Sequence, residues 1–231
     1  MASEVAHELG FEHHVVSPRG EALNGLLKET VERLDSAEPW EVLSGAILVA
    51  VDKLGQDHGA DGALITGAGA DALFLGGKPI DASREDYLQQ WDAQVRRGIK
   101  VNFTRERFIP DFYERLIADP ERHIQVWQTH KAVDLALRIH PCVTRGSDLT
   151  QDKALFRHIA ADLGINPELV QTTKNPMQVS SGGLEAIVTL ARQQLARQAG
   201  EKTYSDPIDE PLEFTVARLF LERLQCRAPG E

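Results

Sequence analysis

The stretch Ala63-Leu64-Ile65-Thr66-Gly67-Ala68-Gly69-Ala70-Asp71-Ala72-Leu73-Phe74-Leu75-Gly76-Gly77 sets a short apolar run against glycines and a single carboxylate. A brief continuous apolar run is the pattern of a buried parallel strand. Glycines behind such a strand let backbone N–H groups come close to a ribose or phosphate. An aspartate at the strand's carboxyl end is suited to hold Mg2+ beside phosphate oxygens. The spacing matches neither the dinucleotide fingerprint nor a Walker loop. The residues alone therefore leave two readings open, a nucleotide-binding turn and a tight strand-to-helix connection.

Around this stretch the pattern alternates. Phe11 to Val16 reads as a short strand closed by Ser17-Pro18-Arg19-Gly20. Leu23, Leu26, Leu27, Val31 and Leu34 recur at helical spacing up to Asp35, and Pro39 opens a second helix through Val42, Ile47, Val49 and Leu54. Beyond residue 83 the spacing predicts helices over about 84–98, 106–118, 124–138, 152–163, 183–199 and 210–224, with prolines at starts or breaks. The longest irregular passage, 171–182, is rich in Thr, Asn, Ser and Gly, and loops of that composition commonly carry binding residues. The expected class is α/β and helix-rich, a partial parallel sheet followed by a helical carboxyl-terminal half.

A chain of 231 residues that is 42% hydrophobic can bury an ordinary core. A formal net charge of −10 makes nucleic acid and anionic membranes poor partners. The longest apolar run, Ala46 to Val51, is far shorter than a bilayer span, and Glu4 and Glu8 replace the basic start of a secretory signal, so a cytoplasmic protein is expected. The two cysteines, Cys142 and Cys226, fit neither a disulfide framework nor a zinc spacing.

The residues 63–77 resemble the Gly-Glu-Gly-Ala/Ser-Asp-Glu-Leu-Phe-Gly-Gly element of asparagine synthetases and their β-lactam synthetase relatives. Val5-Ala6-His7-Glu8-Leu9-Gly10-Phe11-Glu12-His13-His14-Val15-Val16 is similar to the helix, Leu-Gly turn and His-His strand of that family. Asp152-Lys153-Ala154-Leu155-Phe156-Arg157 resembles its Lys-x-x-Leu-Arg helix. Pro167-Glu168-Leu169-Val170 and Lys174-Asn175-Pro176-Met177-Gln178-Val179-Ser180-Ser181-Gly182 resemble its Lys-x-Pro-Met-Gln-x-Gly-Ser-Gly segment. The likeness runs over roughly residues 2–185, and implies a synthetase domain over 1–200 with a linker and amphipathic helix at 201–231.

The resemblance implies a fold of the adenine-nucleotide alpha-hydrolase, or ATP pyrophosphatase, type. It also implies a reaction: ATP activates a carboxylate (aspartate by default) as an acyl-adenylate with loss of pyrophosphate, and an amine then captures it. ATP and Mg2+ are the implied cofactors. Asp71 would hold the metal, Gly67 and Gly69 would lie against the nucleotide, Lys153 and Arg157 would flank it, and Lys174 would be catalytic, steadying charge on the adenylated substrate. Each has a plain reading as well: Asp71 as a helix N-cap, Gly67 as a turn glycine, Lys153 and Arg157 as a solvated i, i+4 pair, Lys174 as a loop lysine.

Departures from the family pattern matter equally. Ala68 stands where asparagine synthetases have Glu and the β-lactam formers have Tyr, and Ala72 replaces a second Glu. A methyl group neither accepts a proton nor orients an amine. The family's Ser-Gly-Gly-x-Asp-Ser pyrophosphate loop, expected just before the helix that ends in the Val5–Gly10 passage, and its glutaminase domain are not found. The sequence thus reads as an amino-terminally truncated synthetase half, impaired in turnover and prone to self-association or to pairing with a chain that supplies the loop. The competing expectation is a catalytically inactive remnant that binds a partner.

Overall fold

The computed structural model describes residues 2–76, 78, 80–81, 83–103, 111–171, 176–196 and 212–225. In chain order its elements are α1 (Ala2–Glu8), α2 (Gly20–Leu34), α3 (Pro39–Asp57), β1 (Leu64–Ile65), α4 (Ala70–Phe74), α5 (Tyr87–Phe103) and α6 (Phe112–Leu116). There follow β2 (His123–Ile124), α7 (His130–Arg138), α8 (Pro141–Arg145), α9 (Ala154–Asp162), α10 (Pro167–Val170), α11 (Met177–Ser180), α12 (Gly183–Ala196) and α13 (Leu212–Gln225). The protein is helix-rich with a small parallel sheet. Contacts divide it into two compact units, each assembled from three stretches of chain.

The first unit comprises Met1–His14, Ala63–Phe108 and Glu121–Lys174. Its sheet pairs β1 with β2 in parallel, Leu64 opposite His123 and Ile65 opposite Ile124. Parallel neighbours need a long crossover, and here the chain between them includes α4 and α5. The core is Leu73, Phe74 and Leu75 around α4, Trp91 and Val95 from α5, and Ala132 and Ala136 from α7. Phe74 meets Trp127 and Phe156 edge-on at centroid distances of 5.6 and 5.0 Å, a geometry favoured by ring quadrupoles. A Cβ on Gly98 would lie 2.3 Å from the Ala72 carbonyl oxygen, so only glycine lets α5 come this close to α4.

The second unit comprises Val15–Gly62, Ile109–Pro120 and Asn175–Glu231. Leu27 and Val31 of α2, Val42, Leu43 and Ala46 of α3, Ile187, Val188 and Ala191 of α12, and Ala217, Phe220 and Leu221 of α13 form one buried cluster. Helical spacing puts each of these sets on one face. Pro39 stands at the start of α3, where its missing N–H costs no intrahelical bond. Asp35 closes α2 with φ 54°, its N–H bonded to the Val31 carbonyl at 2.8 Å.

The structure corrects three sequence expectations. Phe11 to Val16 is not a strand: the segment belongs to no ladder among the described residues, and Phe11 and Val15 are 68% and 71% exposed. A short run with strand character forms a strand only where an edge is available to pair with it. The helix expected over 124–138 begins at His130, because Thr129 caps it through its side-chain oxygen, bonded to the Ala132 N–H. The residues before it form β2 and a 3-10 turn at Val126–Gln128, so the chain beyond residue 83 is not helical throughout. The irregular passage 171–182 holds the short helix α11, with residues 172–175 outside the described residues. The helix expected over 106–118 is described only from residue 111, as α6.

Candidate functional site

At the carboxyl end of β1 the chain passes through Thr66-Gly67-Ala68-Gly69 into α4. Gly69 takes φ 93° and caps the helix, and its carbonyl accepts from the N–H groups of Ala72 and Leu73, each at 3.1 Å. The left-handed conformation that favours glycine therefore falls at Gly69, not at Gly67. Gly67 is exposed, and a Cβ there would meet nothing within 4 Å.

Because Gly69 is the cap, Asp71 is released from capping and lies in the first turn of α4. Its Oδ1 receives the Lys153 Nζ at 2.7 Å, an ion pair between residues far apart in sequence. The pair lies over the backbone of Gly76: a Cβ there would come 2.1 Å from Asp71 Oδ1 and 2.9 Å from Lys153 Cε. Lys153 leaves the chain from a left-handed residue, φ 57°, at the N-cap of α9. For a lysine that conformation is strained by about 1–2 kcal/mol.

Arg145, which sequence reasoning missed, ties this arrangement together. At the end of α8 and only 4% exposed, its Nη2 donates to the carbonyls of Leu75 and Lys78 on either side of the Gly76 turn. Its Nη1 lies 3.6 Å from Oδ1 of Asp152, the neighbour of Lys153. Burial pushes its pKa down while Asp152 pulls it up. Among the described residues its Nε has no hydrogen-bond partner. No local sequence signal marks it, because both carbonyls it serves lie far away in the chain.

Arg157 serves a different purpose from Lys153. Its Nε donates to the Asp152 carbonyl at 3.0 Å and its Nη1 to the Val170 carbonyl, joining the two ends of the α9–α10 segment. Lys174 lies outside the described residues. Beside the glycine turn, His123 Nε2 lies 2.9 Å from Thr66 Oγ1, and burial lowers its pKa below 6.5. On α7, Asp134 pairs with Arg138 at 2.7 Å.

Among the described residues no group of three or more His, Cys, Asp or Glu is gathered to hold a metal. Asp71 supplies a single carboxylate. That suits Mg2+, which usually takes one or two protein carboxylates and fills its shell with phosphate oxygens and water. Gly76 leaves the Asp71 carboxylate room against the backbone, because a Cβ there would collide with Oδ1.

No protein-family model matches the chain, and no curated protein matches it in sequence. Among the described residues no helix is long and apolar enough to cross a membrane.

Proposed function

We propose that the first unit carries a Mg2+-dependent nucleotide site of the asparagine-synthetase kind, which activates a carboxylate with ATP for capture by an amine. The Asp71–Lys153 pair over Gly76 is the observation that supports this most. Two of the motifs that carry the resemblance are distant in sequence, and an accidental match gives no reason for their charged residues to meet. In this reading the ATP pyrophosphatase fold and the amide-forming ligase activity come together, with the nucleotide's phosphates beside α4 and α9.

A substrate carboxylate oxygen would attack the α-phosphorus, the bond to the β-phosphate bridging oxygen would break, and pyrophosphate would leave. An amine would then attack the acyl carbon and release AMP. Mg2+ bound at Asp71 would neutralise charge gathering on the pyrophosphate. Lys153 would meet phosphate oxygens as a fixed ammonium, and Arg145 would hold the Gly76 turn against them. Lys174 keeps the role the resemblance gives it. Aspartate and ammonia are the default substrates on the same ground.

A second reading, a nucleotide-binding domain without turnover, is favoured by Ala68 and Ala72, which offer no group to receive the amine's proton. Calorimetric titration with Mg·ATP, paired with a pyrophosphate-release assay across candidate carboxylates, separates the two. Binding in the wild type that Asp71→Asn weakens by about tenfold or more is expected under both. Saturable pyrophosphate release selects the enzyme. An Asp71→Asn chain that binds Mg·ATP like the wild type would sink the site itself.

A further inference from the structure

We infer that the Asp71–Lys153 pair weakens the binding of a divalent cation or a polyphosphate arriving alone and favours the two arriving together. This rests on the nucleotide reading above and concerns how that site is regulated. The carboxylate oxygen that would receive a metal already carries an ammonium at 2.7 Å. The backbone of Gly76 closes in against that same oxygen, and Lys153 projects from a fixed left-handed cap. The side chains are 45% and 31% exposed, so solvent ions reach them.

A metal alone must displace the ammonium and leave two cations side by side. A polyphosphate alone must draw Lys153 away and then face the negative charge of the Asp71 carboxylate. When both arrive, Asp71 turns to the metal and Lys153 to a phosphate oxygen, and every charge keeps an opposite neighbour. Coupling of this kind is reciprocal: each ion raises the affinity of the other by the same factor. A pair this accessible to water contributes little, so the factor on each single ion is about two- to fivefold.

Gains of binding in variants test this. Mn2+ serves as the metal probe, read by paramagnetic broadening of backbone amide signals near Asp71 in the full chain, and metal-free pyrophosphate serves as the anion probe. Lys153→Met should raise Mn2+ affinity about two- to fivefold, and Asp71→Asn should raise pyrophosphate affinity by a similar factor. The enhancement of pyrophosphate binding by Mn2+ should be smaller in Lys153→Met than in the wild type. Chelation of metal by pyrophosphate in solution is common to all chains and cancels in that comparison. Lys153→Gln, which keeps a polar tip, should follow Lys153→Met and rules out an effect of the apolar replacement. Equal or weaker Mn2+ affinity in both Lys153 variants would overturn the inference while leaving the nucleotide site standing. If no chain binds Mn2+ or pyrophosphate, the nucleotide reading falls and takes the inference with it.

Discussion

His123 shows how one residue's environment becomes a measurable property. It begins β2, its ring nitrogen bonds the Thr66 hydroxyl at 2.9 Å, and burial lowers its pKa below 6.5 because the charged imidazolium is poorly solvated there. The unfolded chain therefore binds the proton more readily than the folded one. The contribution of this group to stability is complete above about pH 6.5 and is lost as the pH falls through the lower folded value. His123→Gln keeps an amide able to bond Thr66 and removes the titration. Melting temperatures measured from about pH 7 down to about pH 5 should fall less steeply for this variant than for the wild type. Parallel curves would mean that His123 titrates alike in both states. Arg145 illustrates the opposite case, a buried cation held by two carbonyls and Asp152, whose use lies in fixing the Gly76 turn.

Among elements, the approach of α5 to α4 matters most to the site, because α4 carries Asp71. A methyl group at Gly98 would stand 2.3 Å from the Ala72 carbonyl oxygen, a backbone atom that cannot swing aside as a side chain can. Gly98→Ala should cost about 1–3 kcal/mol as an overpacked contact. It should lower the melting temperature by several degrees and shift the amide signals of α4. An unchanged melting temperature and spectrum would show that the two helices separate without strain. The helices were legible because their signals are local: the Leu27, Val31, Leu34 spacing of α2, the proline opening α3, the apolar face of α13. The strand β1 was legible from its apolar run before glycines. Its partner was not, since two residues, His123 and Ile124, are too few to show a period and their pairing is set by residues distant in sequence. The same physics divides the site. Asp71 stands out in its glycine-rich turn and Lys153 through resemblance, yet their ion pair and the part played by Arg145 are long-range facts that no local pattern carries.

At the scale of the whole molecule, the chain threads back and forth between two cores, so the last helix cannot be treated as an appendage. Ala217, Phe220 and Leu221 of α13 are 0–3% exposed in the second unit's cluster. Phe214 packs on Trp40 with centroids 5.0 Å apart and rings tilted by 38°, and Arg218 pairs with Glu38 at 2.7 Å. The amphipathic helix expected within 201–231 docks within its own unit. Burying a Leu or Phe side chain contributes about 1.5–3 kcal/mol. Losing Phe220 and Leu221, with the ring contact at Trp40, therefore removes about 3.5–7.5 kcal/mol, against a total stability of about 5–15 kcal/mol for a typical domain. A chain ending at residue 200 should consequently lose cooperative melting of the second unit and expose Val42, Leu43 and Ile187, with aggregation as the visible result. Leu221→Ala in the full chain is the milder arm: it should still fold, with about 2–5 kcal/mol less stability and altered Trp40 fluorescence. If the shortened chain melts as sharply and as high as the full one, and Leu221→Ala changes neither stability nor fluorescence, α13 is not part of that core.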